Sequence, residues 1–188
     1  MSLVTWDGPQ WKAKTKTTKK LRAKRTRRLK RDERSEKGKV RDRDKHCRFP
    51  RCGCGRVGGM KAVPTVSHLK HKGMGGNPKG ERSTTVGMIE LCKWRHQDAR
   101  ISRDKGTLRY VPLTDAGCDG PVCWQIDVTA LPGIHSERML EMNDWLGRPY
   151  EPSEKLWRTL AVETDINVWT PADDWADEVL DELAVMEV

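Results

Sequence analysis

The sequence predicts an α+β fold whose small core lies between two unlike ends, and three observations carry that expectation. Lys and Arg dominate residues 11–34 with too few apolar positions to bury a stripe. Two β-rich runs, 108–113 and 122–128, flank a turn at 115–121. Trp175, Val179, Leu183 and Met186 recur at helical spacing near the C-terminus. A chain of 188 residues is near the usual size of one domain, so one core with appendages is expected.

Taken in order, the first element is a basic arm over 1–33, helical or disordered, with Leu21, Ala23 and Leu29 among its few apolar residues. Residues 33–44 alternate in charge and read as a short surface helix. A tight turn rich in Gly, Pro and Cys follows at 47–55, then β-character at 63–67 and a Gly-rich loop at 72–78. Residues 86–100 read as a helix with Met88, Ile89, Leu91 and Cys92 toward a core. The 108–128 hairpin reads as scaffold. From Ile134 the chain carries Trp and reads as partly helical, and the last helix is expected to start at Pro171 with Thr170 as its N-cap. No internal repeat is present.

The net charge of +9 is not evenly spread. Residues 1–58 carry 21 Lys/Arg against 6 Asp/Glu, residues 59–150 carry 13 against 10, and residues 151–188 carry 2 against 11. A basic end of this kind neutralises phosphates and displaces counterions from a polyanion. An interfacial membrane helix would need a broad apolar face, which the arm lacks. No apolar run approaches the ~20 residues of a membrane span, and 1–10 lack the apolar stretch of a secretory signal, so a cytoplasmic protein is expected.

Six cysteines stand at 47, 52, 54, 92, 118 and 123. In an unexported protein clustered cysteines suggest a metal or plain burial rather than disulfides. Cys47, Cys52, Cys54 and Cys92 could close a structural zinc site, a turn supplying three thiolates and a helix the fourth. Cys118 and Cys123 flank the hairpin turn and are expected to be incidental. Four of the five histidines, His46, His68, His71 and His96, fall near these cysteines. An imidazole can deprotonate water near neutral pH, and a neighbouring one can hold a divalent ion.

The ordered combination of Arg41-Asp-Arg-Asp-Lys-His-Cys-Arg-Phe-Pro-Arg-Cys52, Ser67-His68 with Gly75-Gly76, and Met88-Ile-Glu-Leu-Cys92 through His96 resembles the HNH nuclease family over roughly residues 40–113. It is most similar to phage-encoded members, with their Met-Gly-Gly loop and Cys-x-x-x-His-Gln helix. The resemblance implies a ββα-metal core, a hairpin plus a helix around one divalent ion. It implies His68 as the general base that activates water, His96 as the helix ligand of the catalytic metal, and products ending in a 3′-hydroxyl and a 5′-phosphate. The chain departs from the family pattern at Ser67, where a second ligand is usual, at Gly87, at Arg95 and at Arg100. His71 is the candidate for the missing ligand, with Asn77 behind it, and Cys54 is the candidate for the zinc ligand lost at Arg95.

These readings divide the chain into a nucleic-acid-binding arm (1–33), an HNH ββα-metal core (34–113) and a hairpin with a Trp-containing helical extension and acidic tail (114–188). The expected function is metal-dependent hydrolysis of DNA phosphodiester bonds in a bacterial host cytoplasm. The expected cofactor is Mg²⁺ or Mn²⁺, with Zn²⁺ or Ni²⁺ as further candidates, besides a structural Zn²⁺. Lys24, Arg25, Arg27, Arg28, Lys30, Arg31, Lys70 and Lys72 are the expected contacts to DNA, which is expected to be double-stranded. The acidic C-terminal helix could pack on the core, dock a protein partner or shield the arm. The alternative is a catalytically inactive, zinc-stabilised nucleic-acid-binding protein.

Overall fold

The computed structural model describes residues 16–54, 62–70, 83–131, 147 and 155–185. Within them a long helix leads into a two-stranded antiparallel hairpin, a four-stranded antiparallel sheet and a C-terminal helix.

Helix α1, Lys16–Asp44, has 29 residues and is roughly 43 Å long at 1.5 Å per residue. It merges the basic arm and the charge-alternating segment into one element, and its two halves are built differently. Every side chain from Thr18 to Arg28 is exposed. The second half carries the ion pairs Lys37–Glu33 at 2.8 Å and Lys39–Glu36 at 2.6 Å, which sit one helical turn apart and add a little helix stability. Its end is an anchored root rather than a surface helix. Val40 packs with Val66 and Met88, the Asp44 carboxylate accepts the Glu90 N–H at 2.7 Å, and Arg43 donates to the Met88 carbonyl at 2.8 Å. Lys45 ends the helix in the left-handed region at φ +61°, where glycine is usual. The Asn167 amide covers the Asp44 carbonyl at 2.9 Å.

Strand β1, Pro64–His68, pairs antiparallel with β2, Met88–Cys92, setting Pro64 opposite Cys92 and His68 opposite Met88. This corrects the helix expected over 86–100. All five residues of β2 are buried, and a run this short, apolar but for Glu90, has no clear period of its own, so pairing with β1 decides its conformation. Helical geometry in this segment is limited to the end of a 3₁₀ turn, Thr85–Gly87, and one π-helical turn, Trp94–Asp98. The two-residue alternation sends Ile89 and Leu91 into the main core and Val66 and Met88 toward α1. Thr65 and Ser67 share the face of Ile89 and Leu91, and Ser67 accepts the Tyr110 hydroxyl at 3.4 Å.

The larger sheet has the order β3 (Leu108–Pro112), β4 (Val122–Asp127), β5 (Trp157–Asp165), β6 (Val168–Pro171). Strands β3 and β4 lie where the sequence places them. Strands β5 and β6 replace part of the helical reading after Ile134, while 132–146 and 148–154 lie outside the described residues. The run Trp157-Arg-Thr-Leu-Ala-Val-Glu-Thr is rich in β-formers, and Asn167 at φ +63° closes the turn to β6. A boundary between 113 and 114 would fall in the turn of the β3–β4 hairpin, and β5 pairs directly with β4. The C-terminal extension therefore completes the sheet.

Trp124 centres the core with Phe49 edge-on at 5.6 Å and Tyr110 at 5.7 Å. Helix α2, Asp174–Val185, adds Ala176, Val179, Leu180 and Leu183 to the same core, so the apolar stripe is a packing face; Met186 lies outside the described residues. The start of α2 corrects the expected cap. Thr170 and Pro171 end β6, and the Asp173 carboxylate takes the Ala176 N–H at 2.8 Å. That hydrogen bond, with Arg158 beside it, holds the Asp173 carboxyl below its ordinary value of 3.8. A depressed folded-state value means the cap's contribution is complete above pH 3.8 and is lost as pH falls through the lowered value. Asp173→Ala is expected to cost about 1 kcal/mol at pH 7, read from urea unfolding, and progressively less as pH falls below 3.8.

A buried ion pair joins the loop after α1 to the sheet. Arg48 donates to Glu163 at 3.0 Å and to the Cys118 carbonyl at 2.6 Å. Glu163 also accepts the Val122 N–H at 3.0 Å and the Trp124 indole N–H at 3.3 Å. With every polar atom of both groups engaged across elements, the loop is held in one orientation, as a metal site on it would require.

Candidate metal centre

The turn after α1 and the end of β2 bring Cys47, Cys52, Cys54 and Cys92 together, all four sulfurs within 4.8 Å of one another. Among the described residues no other three His, Cys, Asp or Glu ligands converge in this way. Pro50 and Arg51 form the tip of a turn closed by the Cys52 N–H on the Phe49 carbonyl at 3.2 Å. Arg51 takes φ +49° there, a position that favours glycine, and is held by α2 through Asp177 at 2.6 Å and through Asp181. The Arg48 N–H on the Glu90 carbonyl at 3.0 Å fixes the same loop against β2.

The Cys52 and Cys92 sulfurs are 3.6 Å apart. A tetrahedral zinc with bonds of ~2.3 Å sets its sulfurs about 3.8 Å apart, so the four side chains fit that ion. Hydrogen bonds from the Cys47, Cys54 and Cys92 thiols push the Cys52 thiol far below its usual value. Burial pushes Cys47 well above it. One thiolate is thus stabilised by its neighbours, and all four can ionise together only with a cation among them. The Arg95 N–H lies 3.4 Å from the Cys92 sulfur. Its guanidinium stacks on Phe49 at 4.3 Å and reaches the Leu183 carbonyl at 3.2 Å. Arg95 therefore braces the node from outside, and Cys54 supplies the fourth sulfur.

His96 sits on the π-helical turn, its Nδ1 2.9 Å from the Thr65 hydroxyl and its Nε2 3.5 Å from Asp104. His68 ends β1, on the opposite side of the pleat from Thr65. A turn at 103–106 ties the two segments. The Asp104 N–H donates to the His96 carbonyl at 2.8 Å, and Arg103 donates to the Leu69 carbonyl at 2.7 Å. Thr65, Arg103 and Asp104 were not legible in the sequence. Asp104 stands eight residues beyond His96, outside the helical turn that carries it, and only the fold brings it back.

Of the remaining expected residues, His71 and Lys72, like Asn77, lie outside the described residues. Lys70 is exposed just after β1. Lys24, Arg25, Arg27, Arg28 and Arg31 line one groove along α1 with Leu21, and Lys30 is exposed on the same helix. The acidic side chains Asp177 and Asp181 of α2 are engaged by Arg51 of the knuckle. No helix among the described residues is long and apolar enough to cross a membrane. Comparison with family models, curated proteins and solved structures finds no match for this chain.

Proposed function

We propose that the protein is a metal-dependent HNH-type endonuclease that hydrolyses DNA phosphodiester bonds, rooted on a four-cysteine zinc node. The observation that carries this reading is the 103–106 turn, hydrogen-bonded to both the His68 end of β1 and the His96 turn after β2. A hairpin followed at once by a helical turn, each with a histidine, is the order the ββα-metal motif requires. His68 takes the proton of the attacking water. His96 holds the divalent ion, which supplies Lewis-acid stabilisation of charge on the scissile phosphate. The cationic face of α1 grips phosphates on either side without reading sequence. The test is nicking of supercoiled plasmid in Mg²⁺ or Mn²⁺ by zinc-loaded protein.

One observation favours a second reading, a zinc-stabilised nucleic-acid-binding protein without catalysis: the two histidines lie on opposite faces of the hairpin. Stoichiometric zinc and salt-dependent DNA binding with no nicking in any divalent ion would establish it instead. Under either reading α1 is the grip. Changing Lys24, Arg25, Arg28 and Arg31 to Gln is expected to weaken binding to a 20-base-pair duplex and flatten the slope of log K against log salt by about 3 to 4. Fluorescence anisotropy between 50 and 200 mM salt measures it, a range over which such contacts change affinity by orders of magnitude.

A further inference from the structure

We propose that Asp104 is the carboxylate partner of His96 in holding a divalent cation, so that the ion is shared between the π-helical turn and the 103–106 turn. The proposal rests on the nuclease reading for the purpose of the ion, while the site itself is argued from geometry.

The argument begins at Thr65. Its hydroxyl lies 2.9 Å from the Leu91 carbonyl oxygen, which can only accept, so the single hydroxyl hydrogen is spent there. Toward His96 the same oxygen must then accept, and the 2.9 Å contact places a proton on Nδ1. In the neutral ring this tautomer puts the lone pair on Nε2, the atom that faces the Asp104 carboxylate at 3.5 Å. A nitrogen lone pair and a carboxylate facing each other attract a cation between them. With bonds of about 2.1 Å, neighbouring ligands of an octahedral divalent ion lie about 3.0 Å apart, so the exposed Asp104 carboxylate has to close on Nε2 by about half an ångström to share the ion.

Both ligands are fixed from behind. The Asp104 N–H on the His96 carbonyl at 2.8 Å sets their spacing. Gly106 takes φ +68° to close the turn, and Lys155 donates to the Gly106 carbonyl at 2.6 Å. Asp98, the other carboxylate on the histidine turn, is paired with Lys93 at 3.6 Å, which leaves Asp104 the role. His96 is largely covered, with 15% of its side chain exposed, whereas Asp104 is 42% exposed. An ion between them would be open to solvent on one side, where waters and a phosphate oxygen complete its coordination, as hard divalent ions bound through few protein ligands prefer. Asp104 thereby takes the place left by Ser67, which is buried against the Tyr110 hydroxyl, and by Arg100, whose guanidinium offers no lone pair.

The experiment uses the full chain with zinc in the cysteine node and titrates Mn²⁺, read by the electron paramagnetic resonance of the free ion. Wild type is expected to bind one Mn²⁺, Asp104→Asn and His96→Ala to bind at least tenfold more weakly, and Asp104→Glu and Asp98→Asn to stay within about threefold of wild type. Unchanged zinc content and circular dichroism in each variant show that the fold is intact. Wild-type affinity in Asp104→Asn, or no Mn²⁺ bound by wild type, overturns the proposal. Loss of Mn²⁺ in Asp104→Asn alongside a wild type that never nicks DNA upholds this site and removes the nuclease reading alone.

Discussion

Cys92→Ser is expected to cost the protein its zinc and, with it, the cooperative folding of the knuckle. The four thiolates hold together what the chain leaves apart: a turn after α1 and the end of β2, 38 residues later by the span from Cys54 to Cys92. Structural zinc in four-thiolate sites contributes about 10–16 kcal/mol of apparent free energy near neutral pH. A domain of this size has only about 5–15 kcal/mol of stability in all, so removal of the ion takes away a large share of what orders the turn and leaves the contacts of Arg48 and Arg51 to hold it. Phe49, Arg51 and Arg95 dock on that turn, and their contacts with Trp124, α2 and Leu183 should loosen with it. Atomic absorption should give one zinc per chain in wild type and none in Cys92→Ser, with a lower and broader thermal transition. Because thiolates rather than thiols bind the ion, protons compete with it, and wild-type zinc should also be released as pH falls. Wild type that holds no zinc, or Cys92→Ser that melts where zinc-loaded wild type does, would refute the node.

His68→Ala is expected to slow plasmid nicking by 10²–10⁴-fold, the usual contribution of a positioned general base, while leaving duplex binding unchanged. The separation follows from the architecture. The side chains proposed to grip phosphate are on the exposed half of α1, whereas His68 lies on the hairpin opposite Met88, which packs on Val40 at the helix root. Equal nicking rates for variant and wild type would remove His68 from the chemistry. Equal loss of binding and nicking would make it structural.

The particular elements show how far the sequence could be read. The α+β composition, strands β3 and β4, and the cysteine cluster were legible because each rests on local chemistry: β-branched runs around a turn, and Cys47, Cys52 and Cys54 together on one short turn. Strand β2 was not, because Met-Ile-Glu-Leu-Cys is as apolar in a helix as in a buried strand and only β1 distinguishes them. The cap of α2 lay three residues past the expected Thr170, since the Asp173 carboxylate caps as well as a threonine hydroxyl and β6 had already claimed Thr170. Thr65 and Asp104 carried no sequence signal; their contacts with His96 span 31 and eight residues of chain and exist only after folding.

Helix α1 is continuous from the arm to Asp44, whose carboxylate is hydrogen-bonded to the backbone of Glu90, two residues from Cys92. The arm is therefore a ruler. About 17 residues separate the middle of the cationic groove from Asp44, roughly 25 Å of helix at 1.5 Å per residue. Along a duplex rising 3.4 Å per base pair, that length is about seven base pairs. Under the proposed function, a rod seated on the hairpin would set the distance between where a duplex is held and where it meets the histidines, which a flexible tail of the same charge could not do.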